Sequence, residues 1–238
     1  MKFFESFKSK QTKFTEKIAE DVMSDSIREA APALFTLAHE IVEGGAVYDL
    51  VLSDDASGRL VSLFLKKVLD GVQKKHDLPK PDIRFVAGGQ HNNTETFGAI
   101  KGLLEKIAPV RTLVVTEYIS SGSSIKKLTR ILQELNLKFD VAVLSAEDRG
   151  VRNVKDSLLA DKDTQIYLGS KDSDIWRNFY SRDMSGVTKS GESPFPKKNI
   201  TPHFTEEHKK EMQEKINQAR EDISLLAQEA LKELGIEK

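Results

Sequence analysis

The sequence predicts an α/β fold: a three-layer, doubly wound, mostly parallel sheet of five strands, with extra helices at both ends. Two observations lead there. Short apolar runs alternate with amphipathic stretches of helical period, the pattern of parallel strands joined through helices that cover both faces of a sheet. The stretch from Leu113 to Ile125 condenses that pattern into a buried strand, a tight Ser/Gly turn and a helix start. At 238 residues the chain is long enough to bury one full core.

Taken in order, residues 12–43 read as helical, with Pro32 dividing them into two segments. After Gly44-Gly45, the run Tyr48–Leu52 reads as the first strand. The polar turn Ser53–Gly58 follows, and Leu60, Leu63, Phe64, Lys67 and Val68 then fall at helical spacing. Ile83–Ala87 is the second strand and ends in Gly88-Gly89. Thr94 opens a helix whose inner face is Ile100, Leu103, Leu104 and Ile107. Thr112–Val115 is the third strand, and the helix after it carries Ile125, Leu128, Ile131, Leu132 and Leu135. Phe139–Leu144 and Gln165–Leu168 complete the sheet, with a helix from about Val154 to Ala160 between them.

The segment 185–204 is rich in Ser, Gly, Pro and Lys and reads as irregular. Thr205 then caps a long helix with Glu206 and Glu207 in its first turn. Met212, Ile216, Ala219, Ile223, Leu226 and Ala230 step by four and three, which is a heptad seam. It must be buried on the chain's own N-terminal helices or on a second copy in a homodimer. The apolar face of Phe14, Ile18 and Val22 favours the first. The organisation is one compact domain: N-terminal helices over 1–45, a core over 46–184, the irregular segment 185–204 and the C-terminal helix 205–238.

Composition excludes several classes. Lys and Arg number 36 against 37 Asp and Glu, so no global field draws the chain to nucleic acid or an anionic membrane. There is no cysteine, hence no disulfide and no thiolate chemistry. The five histidines, His39, His76, His91, His203 and His208, lack metal-ligand spacing. Residues 1–17 mix Phe with Lys and Glu, unlike a secretory leader, and the longest uncharged stretch near the N-terminus, Ala30–His39, is too short for a bilayer. The expectation is a soluble cytoplasmic protein.

The chemistry concentrates at two turns. At Ser120, Ser121, Gly122, Ser123 and Ser124 the backbone N–H groups of a helix start converge, four hydroxyls add donors, and Gly122 permits close approach. That suits a phosphate. Ser57 and Gly58 suit the same role at the turn after the first strand, where Arg59 adds a guanidinium fork. Asp54 and Asp55 beside them would repel bare phosphate but can hold a bridging Mg²⁺. If the first strand lies between the second and third, both turns meet where the strand order reverses, the usual ligand crevice of such sheets.

The run Leu113–Ile125 resembles the motif of the type I phosphoribosyltransferases, in which an apolar strand carries two adjacent acidic residues before a Thr-Gly-Gly-Thr-like loop. The resemblance covers about residues 46–170 and implies a phosphoribosyltransferase-like fold. It implies that Glu117 holds the ribose hydroxyls of phosphoribosyl pyrophosphate (PRPP) and serves catalysis. The Ser120–Ser124 loop would then take the 5-phosphate, Ala56, Ser57, Gly58 and Arg59 the pyrophosphate, and Asp54 and Asp55 the magnesium. The reaction would transfer phosphoribose to a nucleobase-like acceptor. Two departures oppose catalysis: Thr116 stands where the first carboxylate belongs, and Gly88–Asn93 leave little room for the family's closing hairpin. The alternative is a binding or regulatory module that kept the phosphate loop. Trp176, Phe179 and Tyr180 suit stacking on a nucleobase but read more readily as core aromatics, and Glu147, Asp148 and Arg149 read as a loop with an ion pair at the ligand edge.

Overall fold

The computed structural model describes residues 21–54, 58–86, 94–158, 163–170, 182–188, 195, 197–198 and 205–237. Five strands form one wholly parallel sheet: β1 (Leu50–Asp54), β2 (Asp82–Val86), β3 (Arg111–Ile119), β4 (Lys138–Ala146) and β5 (Ile166–Ser170). Their order is β2-β1-β3-β4-β5. β1 pairs Leu50 with Asp82 on one side and with Thr112 on the other. The order therefore reverses between β1 and β3, and the crevice expected there exists.

Helices cover both faces. α1 (Asp25–Glu43), α2 (Arg59–Lys75) and the long C-terminal helix α7 (Glu206–Glu233) share one core with Val51, Leu113, Val115, Ala142 and Leu144 of the sheet. α3 (Thr94–Ile107), α4 (Ser123–Glu134) and α5 (Asp148–Leu158) pack on Leu52, Val114, Val141 and Val143 of the other face. Side chains alternate along each strand, so both faces of β1, β3 and β4 are apolar and both are covered.

Several expectations move. α1 is a single helix with Pro32 inside it. The ring lies on the exposed side, where water can satisfy the carbonyl that loses its partner, and the Thr36 hydroxyl donates to the Pro32 carbonyl at 3.0 Å. Residues 22–24 are not helical. They are extended past α7, where the buried Asp222 accepts the N–H groups of Met23 and Ser24 at 3.3 and 2.9 Å. β3 and β4 run longer than their apolar cores suggest, because Thr116, Glu117 and Ser145 are buried polar residues that hydropathy leaves out. Tyr48 precedes β1, Ser53 and Asp54 belong to β1 rather than to a turn, and α5 begins at Asp148.

Part of the segment expected to be irregular is ordered. α6 (Arg182–Ser185) leads into β6 (Val187–Thr188), which pairs antiparallel with β7 (Lys197–Lys198). Thr205 caps α7, accepting the His208 N–H at 3.2 Å. The heptad seam of α7 is buried within the chain: Met212, Ile216, Ala219, Ile223, Leu226 and Ala230 are all buried residues. Ile216 lies against Gly186, and Leu231 lies against Gly71 of α2.

A polar clasp closes the opposite end of the sheet from the crevice. Asp140, 0 % exposed, accepts Arg111 Nε and Nη2 at 2.8 and 3.0 Å and the Tyr48 hydroxyl at 2.6 Å. It also takes the Gln165 N–H at 2.8 Å. Burial and the bond to Asp140 push the Tyr48 phenol far above its ordinary range. Burial works against the charge on Arg111, but its hydrogen bonds to Asp140 outweigh this and its pKa is raised.

Candidate functional site

A cleft of about 190 Å³ opens at the C-terminal ends of β1 and β3. Its wall is Asp54 from β1, Thr116, Tyr118 and Ile119 from β3, the turn Ser120–Ser124, and Ile125. Six of these residues carry hydroxyls. The strand-reversal crevice and the serine turn are thus one place.

Local chemistry explains the turn. Gly122 has φ +78°, a left-handed conformation that glycine adopts without strain, and a β-carbon there would meet Val154 Cγ2 at 2.7 Å. Its carbonyl accepts the Lys126 N–H at 2.9 Å, which starts α4. No side chain caps α4, and among the described residues one N–H at its start has a local side-chain acceptor: Ser123 donates weakly to Ser121 Oγ at 3.4 Å. The helix start therefore presents donors and the positive end of its dipole to the cleft. α5 braces the turn from behind. Asn153 Nδ2 donates to the Ser121 carbonyl at 3.3 Å, and Gly150 touches Ile119 and Ser120 with no room for a β-carbon.

The other expected residues divide. Asp54, 4 % exposed, lines the cleft opposite the serines. Gly58 packs into the crevice so closely that a β-carbon would lie 2.7 Å from the Asp54 carbonyl and 2.9 Å from that of Val115. Here glycine serves close helix-to-strand approach, since its φ of −72° is open to any residue. Arg59 leaves the crevice: its guanidinium carbon stands 4.0 Å over the Phe85 ring on β2, the side of β1 away from β3. Glu117 is 1 % exposed and does not line the cleft. Strand alternation from Leu113 and Val115 carries it to the α1 and α2 side, while Thr116 faces the cleft. Asp55, Ala56, Ser57, Gly88–Asn93, Trp176, Phe179 and Tyr180 lie outside the described residues.

One contributor was missed, and a second was placed at the ligand edge in another role. Tyr118 stands two residues beyond Thr116, so the period of a strand could have found it. Among the described residues Glu147 pairs with hydroxyls and with no cation: its carboxylate accepts the Tyr118 hydroxyl at 2.6 Å and that of Ser120 at 3.3 Å. Only the alignment of β3 with β4 brings these three together.

Among the described residues that line the cleft, Asp54 is the carboxylate magnesium would find. Among the described residues no group of three or more His, Cys, Asp or Glu could hold a metal. Mg²⁺ nevertheless binds through one or two carboxylates when a ligand's phosphate supplies further oxygens, so Asp54 fits a shared ion and not a resident one.

No family model matches the chain, and no curated protein matches it. Among solved structures, the orotate phosphoribosyltransferase from Aeropyrum pernix is similar in fold, at 16 % identity. The match covers 62 % of this chain and 73 % of that one, with a TM-score of 0.37. A likeness of this size concerns the general course of the chain. No helix among the described residues is long and apolar enough to cross a membrane.

Proposed function

We propose that this chain is a phosphoribosyltransferase-like protein that binds PRPP or a related sugar or nucleotide phosphate, with the phosphate seated on the Ser120–Ser124 turn. The observation that carries this is the single cleft joining the uncapped start of α4, four serines and Asp54 at the strand reversal. Asp54 and Thr116 stand ready for sugar hydroxyls or for a magnesium ion shared with the ligand. Binding is favoured over transfer because Thr116 faces the cleft where the resembled motif carries a carboxylate, while Glu117 turns to the α1 and α2 side. Transfer of phosphoribose to a nucleobase-like acceptor is the second reading. Asp54 favours it, as a carboxylate placed for the metal such a transfer uses.

Isothermal titration with ribose 5-phosphate tests the site through Ser123→Asp. Ser123 is exposed at the first position of α4, where an aspartate suits the helix dipole and leaves the fold intact. The added charge should cut affinity at least about tenfold. Equal affinity in both proteins would remove the phosphate from this turn. Release of pyrophosphate from PRPP, Mg²⁺ and a pool of bases would favour the transferase reading over the binding one.

A further inference from the structure

A second carboxylate, Glu147, stands at the rim of the cleft beside two of its wall hydroxyls. Tyr118 and Ser120 both line it, and both give their hydroxyl protons to Glu147 Oε1, at 2.6 and 3.3 Å. Glu147 is fixed at that rim by its backbone. Its N–H donates to the Ile119 carbonyl at 3.0 Å, and its own carbonyl accepts the Val151 N–H at 3.0 Å to start α5. Gly150 presses that first turn onto Ile119 and Ser120. The carboxylate is held beside the serine turn by the same contacts that shape the turn.

We propose that Glu147 is a specificity-determining residue of this cleft. As a resident carboxylate it engages two of the six wall hydroxyls and selects among ligands by their charge. The inference rests on the phosphate reading of the cleft. A phosphomonoester carries about −1.5 to −2 at neutral pH, whereas a phosphodiester carries a single charge. A fixed negative group at a hydrated rim penalises the first more than the second, by about fivefold in affinity for each ligand charge. Removing that charge while keeping the hydrogen-bond acceptor should release the penalty.

The test titrates wild type, Glu147→Gln and Glu147→Asp calorimetrically with ribose 5-phosphate and with its monomethyl phosphate ester. Thermal melting checks that each variant is folded. Glutamine keeps the side-chain length and an acceptor for Tyr118 and Ser120. The expected result is ribose 5-phosphate bound about tenfold tighter or better by Glu147→Gln, with a gain of only about fivefold for the monoanionic ester. Glu147→Asp, which keeps the charge, should stay near wild type. A gain that is equal for both ligands, or that appears in Glu147→Asp as well, overturns charge selection. Unchanged or weaker binding of ribose 5-phosphate by Glu147→Gln overturns the proposal and, if weaker, makes Glu147 a ligand-holding group. Binding by none of the three proteins brings down the phosphate reading itself, and the proposal with it.

Discussion

Asp140 shows how one residue can fix a region that no motif marks. It is fully buried, charged, and saturated by Arg111, Tyr48 and a backbone N–H. A buried carboxylate is tolerated only with such partners, so each of them contributes through the cost of its loss. Tyr48→Phe should cost about 1–3 kcal/mol near neutral pH. It should also change the alkaline limb of stability. The folded phenol is raised above the 10.0 of the free side chain, so its contribution is complete below pH 10. Above that, the unfolded chain releases the proton while the folded chain keeps it, and stability falls as pH rises. Urea titrations at pH 8 and pH 11 should show a smaller alkaline loss in Tyr48→Phe. An equal loss in both proteins would place the alkaline sensitivity elsewhere.

Among the elements, α7 carries the clearest consequence. Its apolar seam was legible from the four-three spacing, but spacing does not say which surface it meets. The structure buries Ala219, Ile223, Leu226 and Ala230 in one core with α1 and α2 of the same chain, and sets Ile216 beside Gly186. Asp222, also on α7, ties down residues 23 and 24, and Gln218 donates to it at 3.0 Å. Ile223→Glu should therefore destabilise the domain by at least about 4 kcal/mol, because an unpaired charge would replace a fully buried side chain. Thermal melting with light scattering checks it. A folded, stable monomer arising from a wild-type dimer would mean that the seam belongs to an interface. α1 teaches the complementary point: proline breaks a helix less readily when its ring faces water and the rest of the helix is anchored by Ile27, Leu34, Leu37 and Ile41.

For the molecule as a whole, strand order decides where chemistry can occur. The end of β1 and the turn after β3 are more than sixty residues apart in the chain, and the pairing of β1 with β3 makes them neighbours. Asp54 and the serine turn then face one volume. Pyrophosphate binding should accordingly depend on Mg²⁺, since Asp54 alone repels the ligand and an ion between them attracts it. In Asp54→Asn that dependence should shrink severalfold in calorimetric titrations with and without the metal. An identical dependence in wild type and variant would separate Asp54 from metal binding.

The sequence by itself determined the α/β class, the alternation of five strands with helices, the serine turn at the start of α4 and the apolar seam of α7. These follow from local periodicity and from residue types whose backbone demands are local, such as Gly122. Tertiary structure alone decided what surrounds them. It turned Glu117 to the α1 and α2 side and Thr116 to the cleft, drew Arg59 onto Phe85, and set Glu147 against Tyr118 and Ser120. Each of these depends on strand phase or on register between strands distant in sequence. A shift of one residue reverses which side chain faces the site, and composition carries no record of that shift.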